Sequence, residues 1–157
     1  MNEKKYFLIS KITDYLDFLE NIKGLSVNTI KSYQRDLIKF SHFSEAANVD
    51  NFNMFTEEIC SSWIADLFQQ NVSARSIQRH ISSAKGFFEY ARKNTLINWS
   101  PFELINSPKS PNYLPNILSP EDVEQLLNFK PKNIQETRDM AIVELIYSSG
   151  LRVSEAV

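Results

Sequence analysis

Two groups of residues in this sequence have types and spacings suited to chemistry on a phosphate. The first is Arg152 with Glu155, an arginine just after Gly150 and one helical turn ahead of a glutamate at a new helix start. A guanidinium is the preferred group for stabilising a phosphoryl transition state, and a carboxylate behind it fixes its orientation. The same spacing also describes an ordinary surface ion pair. The second group is cationic. Lys31, Arg35 and Lys39 recur every four residues, and Arg75, Arg79, Ser82 and Gly86 mark one face of a later helix with Lys85 beside it. Such faces neutralise DNA phosphates and, in the major groove, reach base edges. They are equally what a solvated helix surface looks like. Against the blander reading, both helices open on polar residues: Ser26, Asn28 and Thr29 in one, Ser73, Arg75 and Ser76 in the other. The free N–H groups of a helix start suit a phosphate.

Other chemistries find no support. Cys60 is the single cysteine, which excludes an internal disulfide and a multi-cysteine metal site, and its helical surroundings read as core. His42 and His80 are far apart, so no zinc site is expected, and no metal or cofactor is. The sequence holds no nucleophile-plus-base pair and no phosphate-cradling glycine loop.

The elements that position these residues are helical. Hydrophobic residues make up 43% of the 157, enough for a core, and only three glycines argue against a turn-rich β fold. Ile9, Ile12, Leu16 and Leu19 line a first helix from about Lys5 to Ile22, stopped by Lys23-Gly24. Ser26 caps a second, about Val27 to Phe43, with Ile30, Tyr33, Leu37 and Phe40 inward. Thr56 caps a third with Glu57 and Glu58 in its first turn, burying Ile59 or Cys60, then Trp63, Leu67 and Phe68. Ser73 caps a fourth reaching about Lys93, with the seam Ile77, Ile81, Ala84, Phe88 and Ala91. Together these predict a compact helical bundle closing near Ile105.

Beyond it Ser107–Pro115 is proline-rich and reads as an extended linker. Ser119-Pro120-Glu121-Asp122 is a strong helix start, for a helix to about Phe129. A sixth helix, about Gln135 to Ser148, is apolar nearly all round and needs neighbours. Gly150 stops it, and Ser154 is the expected cap of a further helix. The domains expected are therefore 1–106, a linker 107–118, and 119–157.

Charge is local. The net value is −2, but Asn71–Ser100 carries Arg75, Arg79, Lys85, Arg92 and Lys93 against Glu89 alone. Acids outnumber bases from Ser119 onward. A polyanionic partner would bind one face of the first hundred residues. No leader-like or membrane-spanning run is visible, so a cytoplasmic location is expected.

At this point the residues themselves carry a resemblance. Leu25-Ser-Val-Asn-Thr-Ile-Lys-Ser-Tyr-Gln-Arg-Asp-Leu37 and Ser73-Ala-Arg-Ser-Ile-Gln-Arg-His-Ile-Ser-Ser-Ala-Lys-Gly-Phe-Phe-Glu-Tyr90 resemble the DNA-binding helices of the tyrosine site-specific recombinases, the phage integrase family, of the XerC/XerD type. Ser107-Pro-Lys109, Leu114-Pro115, Leu118–Leu127 and Arg138–Glu155 follow in the family's order, the last around its first catalytic arginine. The resemblance implies a mostly α chain: a four-helix core-binding, SAM-like domain on one face of double-stranded DNA, followed by the first helices of a catalytic domain. It implies site-specific recombination, as in chromosome dimer resolution in the cell cycle. A tyrosine attacks a phosphodiester, a 3′-phosphotyrosyl link conserves the bond energy, and a second recombinase subunit joins in a synaptic tetramer, without metal or cofactor. By position, Arg152 matches the first catalytic arginine and Glu155 the carboxylate that orients it. Thr29, Lys31, Arg35, Arg75, Ser76, Arg79 and Lys85 fall on the DNA-facing helices.

The sequence departs from that pattern. The family's lysine, His-x-x-Arg, later histidine and nucleophilic tyrosine all follow the first arginine, whereas here Val153–Val157 alone follows Arg152. Tyr6, Tyr15, Tyr33, Tyr90, Tyr113 and Tyr147 all precede it. Ser149 stands where threonine is usual and Ala156 where leucine is. The expectation is a truncated recombinase that binds DNA and does not cleave it unaided. Two other readings stay open: a stand-alone DNA-binding protein without catalysis, and a helical protein-interaction module.

Overall fold

The computed structural model describes residues 7–109 and 117–156. Among these residues the chain is helical with no strand, and it divides into two compact units, Met1–Pro111 and Asn112–Val157. No helix is long and apolar enough to cross a membrane, among the described residues.

The first unit holds α1 (Phe7–Asn21), α2 (Val27–Ala46), a 3-10 turn (Phe52–Met54), α3 (Glu57–Gln69) and α4 (Ala74–Lys93). The expected start of α1 at Lys5 lies outside the described residues. The expected caps are formed: Ser26, Thr56 and Ser73 each accept the backbone N–H three residues on, at 3.3 Å. Helix α2 runs a turn past the expected Phe43, because its stop is not a glycine. Asn48, Asn71 and Thr95 adopt φ of 56–58° just after α2, α3 and α4. Each donates back three residues, and the next residue (Val49, Val72 or Leu96) donates back five. Three helices thus end in one reverse-turn motif, each followed by an apolar residue.

The core is aromatic. Phe40 of α2 meets Phe55, Trp63, Phe88 and Phe102, with centroids 4.8–5.8 Å apart. All five rings are buried, each contributing roughly 2 kcal/mol by removal from water. Phe102 and Ile105 come from the loop after α4 and are buried in the same core. The expected seams hold with shifts of detail. On α1 the buried face is Leu8, Ile12, Tyr15, Leu16 and Leu19, with Ile9 only half-buried. On α3 Cys60, Trp63 and Leu67 are buried, whereas Phe68 is exposed. Burial pushes the Cys60 thiol up to about 12, as befits a core residue. Gly86 does not belong to the solvent face with Arg75 and Arg79: a Cβ there would collide with the Tyr15 hydroxyl, so α1 covers it.

The second unit holds α5 (Pro120–Leu127), α6 (Ile134–Ser149) and α7 (Val153–Ala156). Ser119 and Asp122 form a reciprocal capping box at α5. Gly150 ends α6 at φ 66°. Ser154 is not a cap. Helix α7 has already begun at Val153, because the Glu155 carboxylate reaches back to accept the Arg152 N–H at 2.8 Å and so does the capping. No residue of α5, α6 or α7 is buried among those described.

Candidate nucleic-acid interface

The starts of α2 and α4 are built alike. Both caps, Ser26 and Ser73, sit at φ −61°, ψ 147°. Ser26 Oγ shares a hydrogen bond with Thr29 Oγ1 at 2.9 Å, and Ser73 Oγ donates to Ser76 Oγ at 3.0 Å. Thr29 and Ser76 are therefore bound into the caps, and their hydroxyls lie at the positive ends of two helices. The two helices pack directly on one another.

What locks them together is an ion pair absent from the sequence reading. Arg79 of α4 donates from Nε and Nη2 to the two carboxylate oxygens of Asp36 on α2, at 2.8 and 2.9 Å. Asp36 is 1% exposed, while the Arg79 side chain is 43% exposed. Burying a carboxylate without a partner is costly, and a bidentate guanidinium satisfies it. That contact also holds Arg79 charged more firmly than usual. Next to it His80 Nδ1 lies 3.3 Å from Asp36 Oδ1, buried and without a hydrogen-bond partner. Desolvation holds the His80 imidazole below its ordinary range, with Arg79 and Lys39 adding to the effect and Asp36 opposing it. A signal for this knot existed: Asp36 falls within the apolar stripe of Tyr33, Leu37 and Phe40, where an acid needs an internal cation.

Above the pair an open cleft of about 490 Å³ is lined by Tyr33, Ser73, Arg75, Ser76, Gln78, Arg79 and Ser82. Gln78 Nε2 donates to Pro108 O at 2.7 Å, tying the chain that leaves the bundle to α4. The remaining candidates differ in placement. Arg75, Lys31 and Arg35 are exposed. Arg35 is steadied by Nε to Lys31 O and Nη2 to Ser32 Oγ, at 3.2 and 3.3 Å. Lys85 lines a second cleft with Glu89, Arg92, Trp99 and Glu103, away from Arg75. There Glu89 holds Arg92 at 2.8 Å and Lys93 at 3.6 Å, so two of the bases counted in this helix are already paired. The structure thus brings Ser76, Arg75 and Arg79 to one cleft, with Thr29, Lys31 and Arg35 along α2 and Lys85 further down α4.

In the second unit Arg152 and Glu155 do meet. Arg152 Nη1 donates to Glu155 Oε1 at 3.1 Å while the other carboxylate oxygen takes the Arg152 N–H. The Arg152 side chain is 82% exposed, so its guanidinium is braced on one side and open on the rest. An open arginine held by a carboxylate can donate to a phosphate oxygen without rearranging. No group of residues suited to a metal occurs among those described.

The chain is similar to known proteins in sequence and fold. The phage integrase N-terminal SAM-like domain matches residues 12–95. The chain is 36% identical over 148 residues to the tyrosine recombinase XerD of Rickettsia bellii, covering 93% of this chain and 48% of that protein. It is 34% identical over 147 residues to XerD of Staphylococcus aureus, covering 93% and 50%. Its fold resembles the integrase from mycobacterium phage Brujita, with a TM-score of 0.58 at 22% identity, over 98% of this chain and 48% of that one. The chain spans about half the length of the relatives it matches. With its SAM-like helical domain leading into the arginine-bearing helices that follow, the chain belongs to the phage integrase family of tyrosine recombinases.

Proposed function

We propose that this chain is the DNA-gripping part of a site-specific tyrosine recombinase. Residues 1–106 form the core-binding domain, 107–118 the linker, and 119–157 the opening of the catalytic domain. In this reading α2 and α4 lie against one face of duplex DNA. Thr29 and Ser76 offer capped helix starts to phosphates, and Lys31, Arg35, Arg75, Arg79 and Lys85 neutralise the backbone or reach base edges. Arg152, oriented by Glu155, stabilises the charge of a pentavalent phosphate when a tyrosine attacks. The wider role is strand exchange with a second recombinase subunit in a synaptic tetramer in the cytoplasm, as in chromosome dimer resolution, with no metal or cofactor.

One observation carries the reading. Two Ser-capped, base-bearing helices are pinned side by side by Asp36 and Arg79, and Arg75, Ser76 and Arg79 line one open cleft together with Tyr33 of α2. The test is titration of the chain against a labelled duplex bearing an Xer-type recombination site and against a scrambled duplex. The expected result is preferential, salt-sensitive binding, weakened roughly tenfold or more in Arg35→Glu/Arg75→Glu. Those two residues are chosen because Arg79→Glu would also strand the buried Asp36. A folded chain that binds neither duplex would leave a helical interaction module instead.

A further inference from the structure

The Asp36 knot is built from more groups than a static brace requires. Asp36 is buried and must stay neutralised, yet its partner Arg79 lines the open cleft beside Arg75, Ser73 and Ser76. An arginine facing a phosphate site is drawn outward by a polyanion. The same carboxylate has a second group beside it: His80 Nδ1, 3.3 Å from Oδ1 and lacking any hydrogen-bond partner. We propose that Arg79 and His80 exchange the Asp36 carboxylate when DNA binds. Arg79 turns to a phosphate oxygen, and His80 takes one proton from solvent at Nδ1 and holds Asp36 in its place. This inference rests on reading α2 and α4 as the DNA face, and it makes Asp36 and His80 positioning residues for Arg79.

The local electrostatics run in the required direction. The charged groups facing His80 are Asp36 and Lys39 from α2 and Arg79 from its own helix, while α3 presents Trp63 edge-on at 5.7 Å. In the free protein burial dominates and keeps the imidazole neutral, with Arg79 and Lys39 acting the same way. Departure of Arg79 removes one of these influences and leaves the carboxylate uncompensated, so the imidazolium becomes the favoured form. No covalent bond changes. One proton passes from buffer to His80, Arg79 keeps its charge, and each anion ends with one cation. The protonated histidine belongs to the bound state, so affinity rises as pH falls. The rise is confined to pH values between the low free-state pKa of His80 and its raised bound-state pKa, and it reaches at most about tenfold per pH unit.

The experiment measures duplex affinity of the full chain and of His80→Gln from about pH 5.5 to about pH 8.5, the range in which histidine titrates. It adds proton uptake by calorimetry in two buffers of different ionisation enthalpy. Tighter binding at low pH with uptake of close to one proton, both lost in His80→Gln, is the expected result. DNA binding with the same pH dependence in both chains overturns the exchange and leaves the DNA face standing. No binding by the folded chain at any pH overturns the DNA face and the exchange with it. Should His80→Gln not fold, the imidazole resonance of the unaltered chain decides. The sequence has two histidines and His42 is exposed, so His80 is readily assigned. On adding duplex near neutral pH its signal moves to the imidazolium position, and an unmoved signal sinks the proposal.

Discussion

Gly86 sets how closely α1 approaches α4. The Tyr15 hydroxyl occupies the space a Cβ would need, and the ring is held among Phe87 and Tyr90 with centroids 5.7 and 5.4 Å away. Alanine at this helical position brings a helix-propensity gain of up to about 1 kcal/mol, while overpacking costs about 1–3 kcal/mol. Gly86→Ala is therefore expected to lose about 1 kcal/mol in urea unfolding. Gly86→Ala/Tyr15→Phe should recover most of it, since the ring carbon is already at 3.4 Å, an ordinary contact. A double-mutant coupling near zero would show that the hydroxyl is not the obstacle. At this scale the sequence was partly legible. The cationic faces and the Arg152–Glu155 contact could be read from spacing, because both partners lie within one helical turn. Asp36 with Arg79 is a pairing across 43 residues, and periodicity carries no information on which helix faces which.

The elements differ sharply in what supports them, and that difference has a measurable consequence. Helix α4 buries Ile77, His80, Ile81, Ser83, Ala84, Phe87, Phe88 and Ala91. Helix α6 buries none of its described residues, although it is nearly as long and its apolar side chains surround the axis. A helix of this length is marginal in water without tertiary contacts. Amide exchange in this chain should therefore be at least roughly a hundredfold slower in α4 than in α6, and equal protection would mean that α6 has a cover absent from the structure. The need of α6 for neighbours was legible from its composition, as were the caps Ser26, Thr56, Ser73 and Ser119, since Ser and Thr act on N–H groups three residues away; the Asn133 cap of α6 was not seen and Ser154 was misplaced. The motif that ends α2, α3 and α4 was not legible, although the end of α4 at about Lys93 was placed. Asn48, Asn71 and Thr95 adopt a left-handed conformation that a glycine-based rule does not seek, and only the apolar residue after each betrays the motif.

For the whole molecule, electrostatics must reconcile a net charge of −2 with an anionic partner. Acidic stretches such as Asn51–Gln70 repel DNA, so attraction has to come from a few bases at contact distance rather than from a diffuse field. Counterion release then gives a count. Each neutralised phosphate contributes about −0.9 to the slope of log K against log salt. Contacts from Lys31, Arg35, Arg75 and Lys85 alone predict a slope of about −3.6. Release of Arg79 from Asp36 to a phosphate raises its magnitude to about 4.5. The steeper value belongs to conditions in which His80 is protonated, so the slope should steepen by about one contact from mildly basic to mildly acidic pH. Arg75→Glu should flatten it by about one contact at either pH. A slope near zero would remove the phosphate-contact reading for the entire bundle. A slope near −4.5 at every pH would mean that Arg79 engages phosphate without help from His80, leaving Asp36 to be neutralised by some other route.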